Sequence, residues 1–175
     1  MKKVYRKYPV QEVILFHSLR ELTVEEQARG LRLNEYGNVP TGIEFLDIFA
    51  AYVRKIGRAS QRTYAKTLDI DPRMLTHTIV VLTGQTPSEW VDYYVMLGIY
   101  ETLLKSKKDT EISEISKRLG FSQPSVLCKY CTTRLNESPS ELRYQLRLGR
   151  RTFDELPSRI AKYYAQLPKK RGGRY

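Results

Sequence analysis

Between positions 41 and 150 the apolar residues recur at intervals of three and four, the spacing of one helix face, and no stretch alternates as a half-buried strand does. The first stripe is Phe45, Ile48, Phe49, Tyr52 and Ile56, and Thr41 with Glu44 three residues on predicts a capping box at its start. Ser60 then predicts an N-cap for a short helix over 61–68, with Tyr64, Ala65 and Leu68 on one face. A tight turn at Asp69-Ile70-Asp71 follows. Asp71 caps a second helix over 72–82, with Pro72 at its first position, where a missing N–H costs nothing. That helix turns Leu75, Thr78, Ile79 and Leu82 inward, and Gly84 supplies the stop, a place that wants tolerance of positive φ.

The pattern is then repeated. Thr86-Pro87-Ser88-Glu89-Trp90 returns as Ser138-Pro139-Ser140-Glu141-Leu142, an offset of 52 residues that also maps Pro72 onto Pro124, Leu75 onto Leu127 and His77 onto Lys129. A common offset across separate landmarks implies two copies of one supersecondary unit. In the second copy Thr110 caps a helix over 111–119 with Ile112, Ile115 and Leu119 inward. Gly120-Phe121-Ser122 makes the turn, and a helix over 123–135 buries Leu127, Tyr130, Cys131 and Leu135. Helix, short turn, helix, with polar groups projecting from the second helix, is a helix-turn-helix.

Thr86 and Ser138 each cap a further helix, with Pro87 and Pro139 at the first position and Glu89 and Glu141 completing capping boxes. The first of these runs over 87–105, with Trp90, Tyr94, Leu97 and Leu104 at helical spacing, long enough to bridge the two units. The fold class expected is therefore all-α, about seven helices forming two helix-turn-helix subdomains joined by a long connecting helix. Residues 1–40 form an N-terminal extension, 41–150 the double unit, and 151–175 a short helix with a basic disordered tail. In the extension, 10–22 is apolar-rich and expected to pack on the core, and Thr23 with Glu26 marks a helix start. In the tail segment, Leu156, Ile160, Tyr163, Tyr164 and Leu167 are the apolar positions of a helix over 153–167.

The net charge of +11 is carried mostly at the ends: residues 1–9 hold four basic side chains and no acid, and residues 151–175 hold seven basic and two acidic, giving +5. A polyanion is the natural partner of such a chain, and a solvated tail is the plainer alternative. The two cysteines, Cys128 and Cys131, form one C-x-x-C, but His17 and His77 stand apart in sequence, so the pair reads as small helix residues in a reducing compartment. No phosphate-binding loop, dinucleotide fingerprint, zinc-protease motif or serine elbow occurs, so no enzyme and no cofactor is expected. No apolar run approaches the ~18 residues of a membrane span, and no secretory signal is evident, so a cytoplasmic protein is expected.

Glu114-Ile115, then Leu119-Gly120-Phe121-Ser122, Ser125, and Ser138 through Arg143 together resemble the signature of the DNA-binding domain of AraC/XylS-family bacterial regulators. The first unit matches more loosely, through Ala65, Leu75, Gly84 and residues 87–90, and the resemblance covers about residues 41–147. It implies two homeodomain-like helix-turn-helix units, each placing its second helix in the major groove of double-stranded DNA, with the grooves about one helical turn apart. The base-facing positions it implies are Arg73, Thr76 and His77 in the first unit, and Pro124, Ser125, Cys128 and Lys129, with Gln123 near by, in the second. Arg73 and Lys129 have the chemistry to donate to guanine O6 and N7, Gln123 suits adenine, and Thr76 suits a thymine methyl. Cys131 stands where the family usually has phenylalanine, Asn136 where it has glycine, and Val95 and Met96 where it often has basic residues. Forty residues do not form the ligand-sensing barrel that many members carry, and no small-molecule effector is implied.

Two functions of different class follow. One is sequence-specific duplex binding that alters transcription by touching RNA polymerase or another regulator. The other is a degenerate helix-turn-helix module that acts by protein–protein interaction or binds DNA without sequence preference. The basic end, Lys169, Lys170, Arg171 and Arg174, is expected to track phosphates or enter a minor groove, and RNA binding through its Arg-Gly-Gly-Arg segment is a weaker third reading.

Overall fold

The computed structural model describes residues 7–15, 17 and 21–168. Among these residues the fold is all-α: ten α-helices and one 3-10 turn, with no strand. In chain order they are α1 (Val10–Val13), α2 (Val24–Ala28), α3 (Glu44–Ile56), α4 (Gln61–Thr67), α5 (Pro72–Thr83), α6 (Pro87–Lys105), α7 (Ile112–Arg118), α8 (Pro124–Leu135), α9 (Pro139–Arg147) and α10 (Leu156–Gln166), the last preceded by the 3-10 turn Phe153–Glu155. Two compact units divide the chain, with the boundary after Thr102, inside α6.

In the first unit the aromatic rings of α3, α4 and α6 meet. Phe49 lies 5.8 Å edge-on from Tyr64 and 5.6 Å from Trp90, ring centre to ring centre, and all three are shielded from solvent. Leu46, Ala50 and Val53 from α3, Leu75 and Ile79 from α5, and Met96, Ile99 and Tyr100 from α6 complete the core. The buried face of α3 is thus rotated from the expected stripe: Leu46, Ala50 and Val53 point inward and Ile48 is exposed. Thr41 is not paired with Glu44 either. Its N–H and hydroxyl both donate to the Asp47 carboxylate at 2.8 Å, and the helix begins behind Ile43. An acid four residues into the helix reaches back more readily here than one at its first position.

The N-terminal segment belongs to this core. Val10, Val13 and Ile14 are buried, Tyr8 N–H donates to the Leu82 carbonyl at 3.0 Å, and Val10 N–H donates to the Gln85 side chain at 2.8 Å. Arg54 ties the following loop down, donating to the Asn38 side chain at 2.6 Å and to the Gly37 and His17 carbonyls. Burial lowers its affinity for its proton, yet the guanidinium stays charged because its starting value is so high.

The second unit packs α7, α8, α9 and α10 around Ile115, Phe121, Leu127, Tyr130, Cys131, Leu142, Leu156 and Ile160. Burial pushes the Cys131 thiol up to about 12, so it stays protonated at neutral pH and packs as a small apolar side chain. Thr110 does not cap α7: that helix starts behind Glu111 with no side-chain cap, while the Thr110 carbonyl accepts from Arg143 at 2.6 Å. Leu104, at helical spacing on α6, is exposed, and Leu167, read as an apolar position of the last helix, is exposed and falls beyond the end of α10.

Glu137 anchors the C-terminal segment to the end of α8. Its carboxylate accepts two bonds from Arg151, at 2.9 and 2.6 Å, and one from Arg159 at 3.1 Å, and Arg159 also donates to the Leu135 carbonyl at 2.9 Å. Burial works against the carboxylate, but the hydrogen bonds and charges of Arg151 and Arg159 outweigh it and hold the group below the usual range.

Candidate nucleic-acid interface

Each unit contains two helices joined by a short turn and built by the same local rules. In the first, the Ser60 hydroxyl accepts from Thr63 N–H at 3.2 Å to start α4. The helix closes through Asp69, in the left-handed region at φ 54°, with Asp69 N–H donating to Lys66 and Ile70 N–H to Ala65. In the second, α7 closes in the same way through Gly120 at φ 75°, with Gly120 N–H donating to Lys117 and Phe121 N–H to Ser116. An apolar residue follows the left-handed one in both, and α4 packs on α5 as α7 packs on α8. The second turn is one residue longer, so the 52-residue offset holds from Pro72 and Pro124 onward and becomes 51 before the turn.

The second helices also end alike. Gly84 adopts φ 75° and Asn136 φ 55°, both left-handed C-caps, so asparagine serves at a position where glycine is the commoner solution. Capping boxes then start the next helices: Thr86 and Glu89 exchange bonds at 3.3 Å, and Ser138 and Glu141 at 3.2 and 2.9 Å. Fixed at both ends and along its apolar face, each second helix presents a defined outer surface.

On α5 that surface carries Arg73 and His77, one turn apart and both exposed. Asp71 accepts from Arg73 N–H at 2.8 Å and so sets the start of the helix. Thr76 is only half exposed, and its hydroxyl is engaged with the Pro72 carbonyl at 3.1 Å and with the Gln61 side chain. Its methyl group is therefore the better part for a contact. Met74, Val80 and Val81 are also exposed here, which sequence periodicity could have shown, since they lie off the Leu75–Ile79 face.

On α8 the exposed residues are Gln123, Pro124, Ser125 and Lys129, continuing through Thr132 and Thr133. Gln123 is the N-cap residue but makes no side-chain cap bond; its carbonyl oxygen lies 3.4 Å from the Ser125 hydroxyl. Cys128 is half-buried between this face and the core. The structure thus places three of the expected residues on α5, four on α8 and Gln123 at the N-cap of α8. Lys169, Lys170, Arg171 and Arg174 lie outside the described residues. No group of three or more histidine, cysteine, aspartate or glutamate side chains that could hold a metal occurs among the described residues.

Residues 64–145, just under half of the chain, match the model of a helix-turn-helix domain family. The match is of the AraC type, and it supports a DNA-binding regulator carrying a domain of that kind. The matched family is one of DNA-binding domains and not of enzymes. No curated protein matches the chain. Among the described residues no helix is long and apolar enough to cross a membrane.

Proposed function

We propose that the chain is a sequence-specific transcription regulator of the cytoplasm that places α5 and α8 in successive major grooves of a DNA duplex. The observation that carries this reading is the repeated architecture: two second helices with the same proline start, the same left-handed stop and exposed polar side chains, Arg73 and His77 on one and Ser125 and Lys129 on the other. Arg73 and Lys129 are the base readers, both able to meet guanine O6 and N7, and Gln123 addresses adenine. Ser125, His77 and the Thr76 methyl make shorter contacts, with Pro124 and Cys128 supplying apolar surface. The basic end, Lys169, Lys170, Arg171 and Arg174, adds phosphate contacts. The double unit spans residues 41–150, and its output is contact with RNA polymerase or another regulator.

Met74, Val80 and Val81 favour a second reading for the first unit, since an exposed apolar trio also suits a protein partner. Thymine methyl groups in the major groove meet the same surface chemistry, and the two readings separate by experiment. Arg73→Ala is expected to weaken binding to the preferred site by about 1–3 kcal/mol and to relax preference at one base, as read by competition with single-base variants of that site. Equal losses on every sequence would make Arg73 a phosphate contact. No loss at all would leave the α5 face to a protein.

A further inference from the structure

The C-terminal helix lies beyond the residues that match the helix-turn-helix family, yet it shares a cleft with the second candidate reading helix. The cleft has a volume of about 520 Å³, and the end of α8 forms one wall with Thr132, Thr133 and Arg134. Arg151, Arg159, Lys162 and Tyr163 form the other. Four lining side chains are cationic and none is acidic; Glu137 behind them offsets one charge, so the cleft is strongly positive.

The cations are held in place. Glu137 fixes the Arg151 and Arg159 guanidiniums, and Arg134 lies 3.8 Å from the centre of the Tyr130 ring and 5.4 Å from that of Tyr163. Planar guanidiniums with the Thr133 and Tyr163 hydroxyls beside them suit the oxygens of a phosphate, and their pre-ordering lowers the entropy lost on binding one. The cleft also continues the outer face of α8. From Ser125 to Thr133 the helix rises roughly 12 Å at ~1.5 Å per residue, about the width of the major groove. With Ser125 at the base edges, the cleft falls at the distance of the strand that borders the groove.

We propose that the α8–α10 cleft binds a backbone phosphate of the DNA strand bordering the groove that α8 reads, so that α10 is part of the interface. This inference rests on the duplex-reading function proposed above. The test compares the full chain with Lys162→Gln and Lys162→Arg, since Lys162 is exposed and its replacement leaves the core intact. Binding to a duplex carrying the preferred site is followed by fluorescence anisotropy across a salt series.

Lys162→Gln is expected to make the log Kd against log salt slope shallower by about 0.9 and to weaken binding about fivefold near 0.15 M salt, with base preference unchanged and Lys162→Arg restoring the slope. An unchanged slope and affinity in Lys162→Gln, with the parent chain binding normally, overturns the cleft and leaves the regulator reading standing. Failure of the parent chain to bind any duplex overturns both. Titration with inorganic phosphate separates the sources of the anion. Phosphate binding lost in Lys162→Gln, while the DNA slope is unchanged, assigns the cleft to a free anion and overturns the proposal.

Discussion

Trp90→Ala is expected to destabilise the first unit by about 3–5 kcal/mol, the range for deleting a fully buried tryptophan. Trp90 has no exposed surface and packs its ring against Phe49, which in turn meets Tyr64 of α4. Its loss leaves a cavity beside the Phe49 ring, and a close-packed core has little freedom to collapse into it. Domains of this size are stable by roughly 5–15 kcal/mol, so the variant should sit near its threshold. The α4–α5 pair rests on Tyr64, Leu75 and Ile79, and α5 should lose its fixed outer face with the core. Because Trp90 is the only tryptophan, urea unfolding is best followed by circular dichroism at a helical wavelength. A shift of under about 1 kcal/mol would mean that Trp90 is not the packing centre the structure makes it.

Glu137→Ala should cost the second unit about 3 kcal/mol. It leaves Arg151 and Arg159 facing each other without their shared carboxylate, and removing one partner of a largely buried ion pair costs more than the pair contributes. The figure stands at the low end of that class because a third of the Arg151 side chain remains in contact with water. The same group gives a pH signature. Arg151 and Arg159 hold the folded carboxyl below its ordinary value, so the stabilisation is fully present above the unfolded carboxylate pKa of about 4.3. It is lost as the pH falls through the folded value. Urea midpoints measured between about pH 3 and 7 should therefore drop on acidification more steeply in the parent chain than in Glu137→Ala. Parallel pH profiles would contradict the assignment.

Much of this was legible in the sequence because it is local. Ser60, Asp71, Ser138 and Glu141 act on N–H groups within three residues, and proline and glycine mark the starts and stops, so helices and repeat could be read directly. The errors came at helix starts. Asp47, six residues on, captures the Thr41 hydroxyl, and α7 starts behind Glu111, one residue after Thr110, with no side-chain cap. The matched turn closures were hidden because aspartate and glycine reach the same left-handed conformation at Asp69 and Gly120. The outer faces of α5 and α8 followed from periodicity, but the engagement of the Thr76 hydroxyl depends on Gln61 from another helix. The pairing of α10 with α8 rests on Glu137 meeting two arginines 14 and 22 residues on, which no local pattern signals.

The central claim is that two reading helices act on one duplex, and selection of bound sequences from a random duplex library by the purified full chain tests it most directly. The predicted result, at near-physiological salt, is an enriched motif with two halves about 10 base pairs apart, one for each unit. Enrichment of a single half would show that one helix does not read bases. Salt-sensitive binding with no enriched sequence, or no binding at all, would contradict the claim.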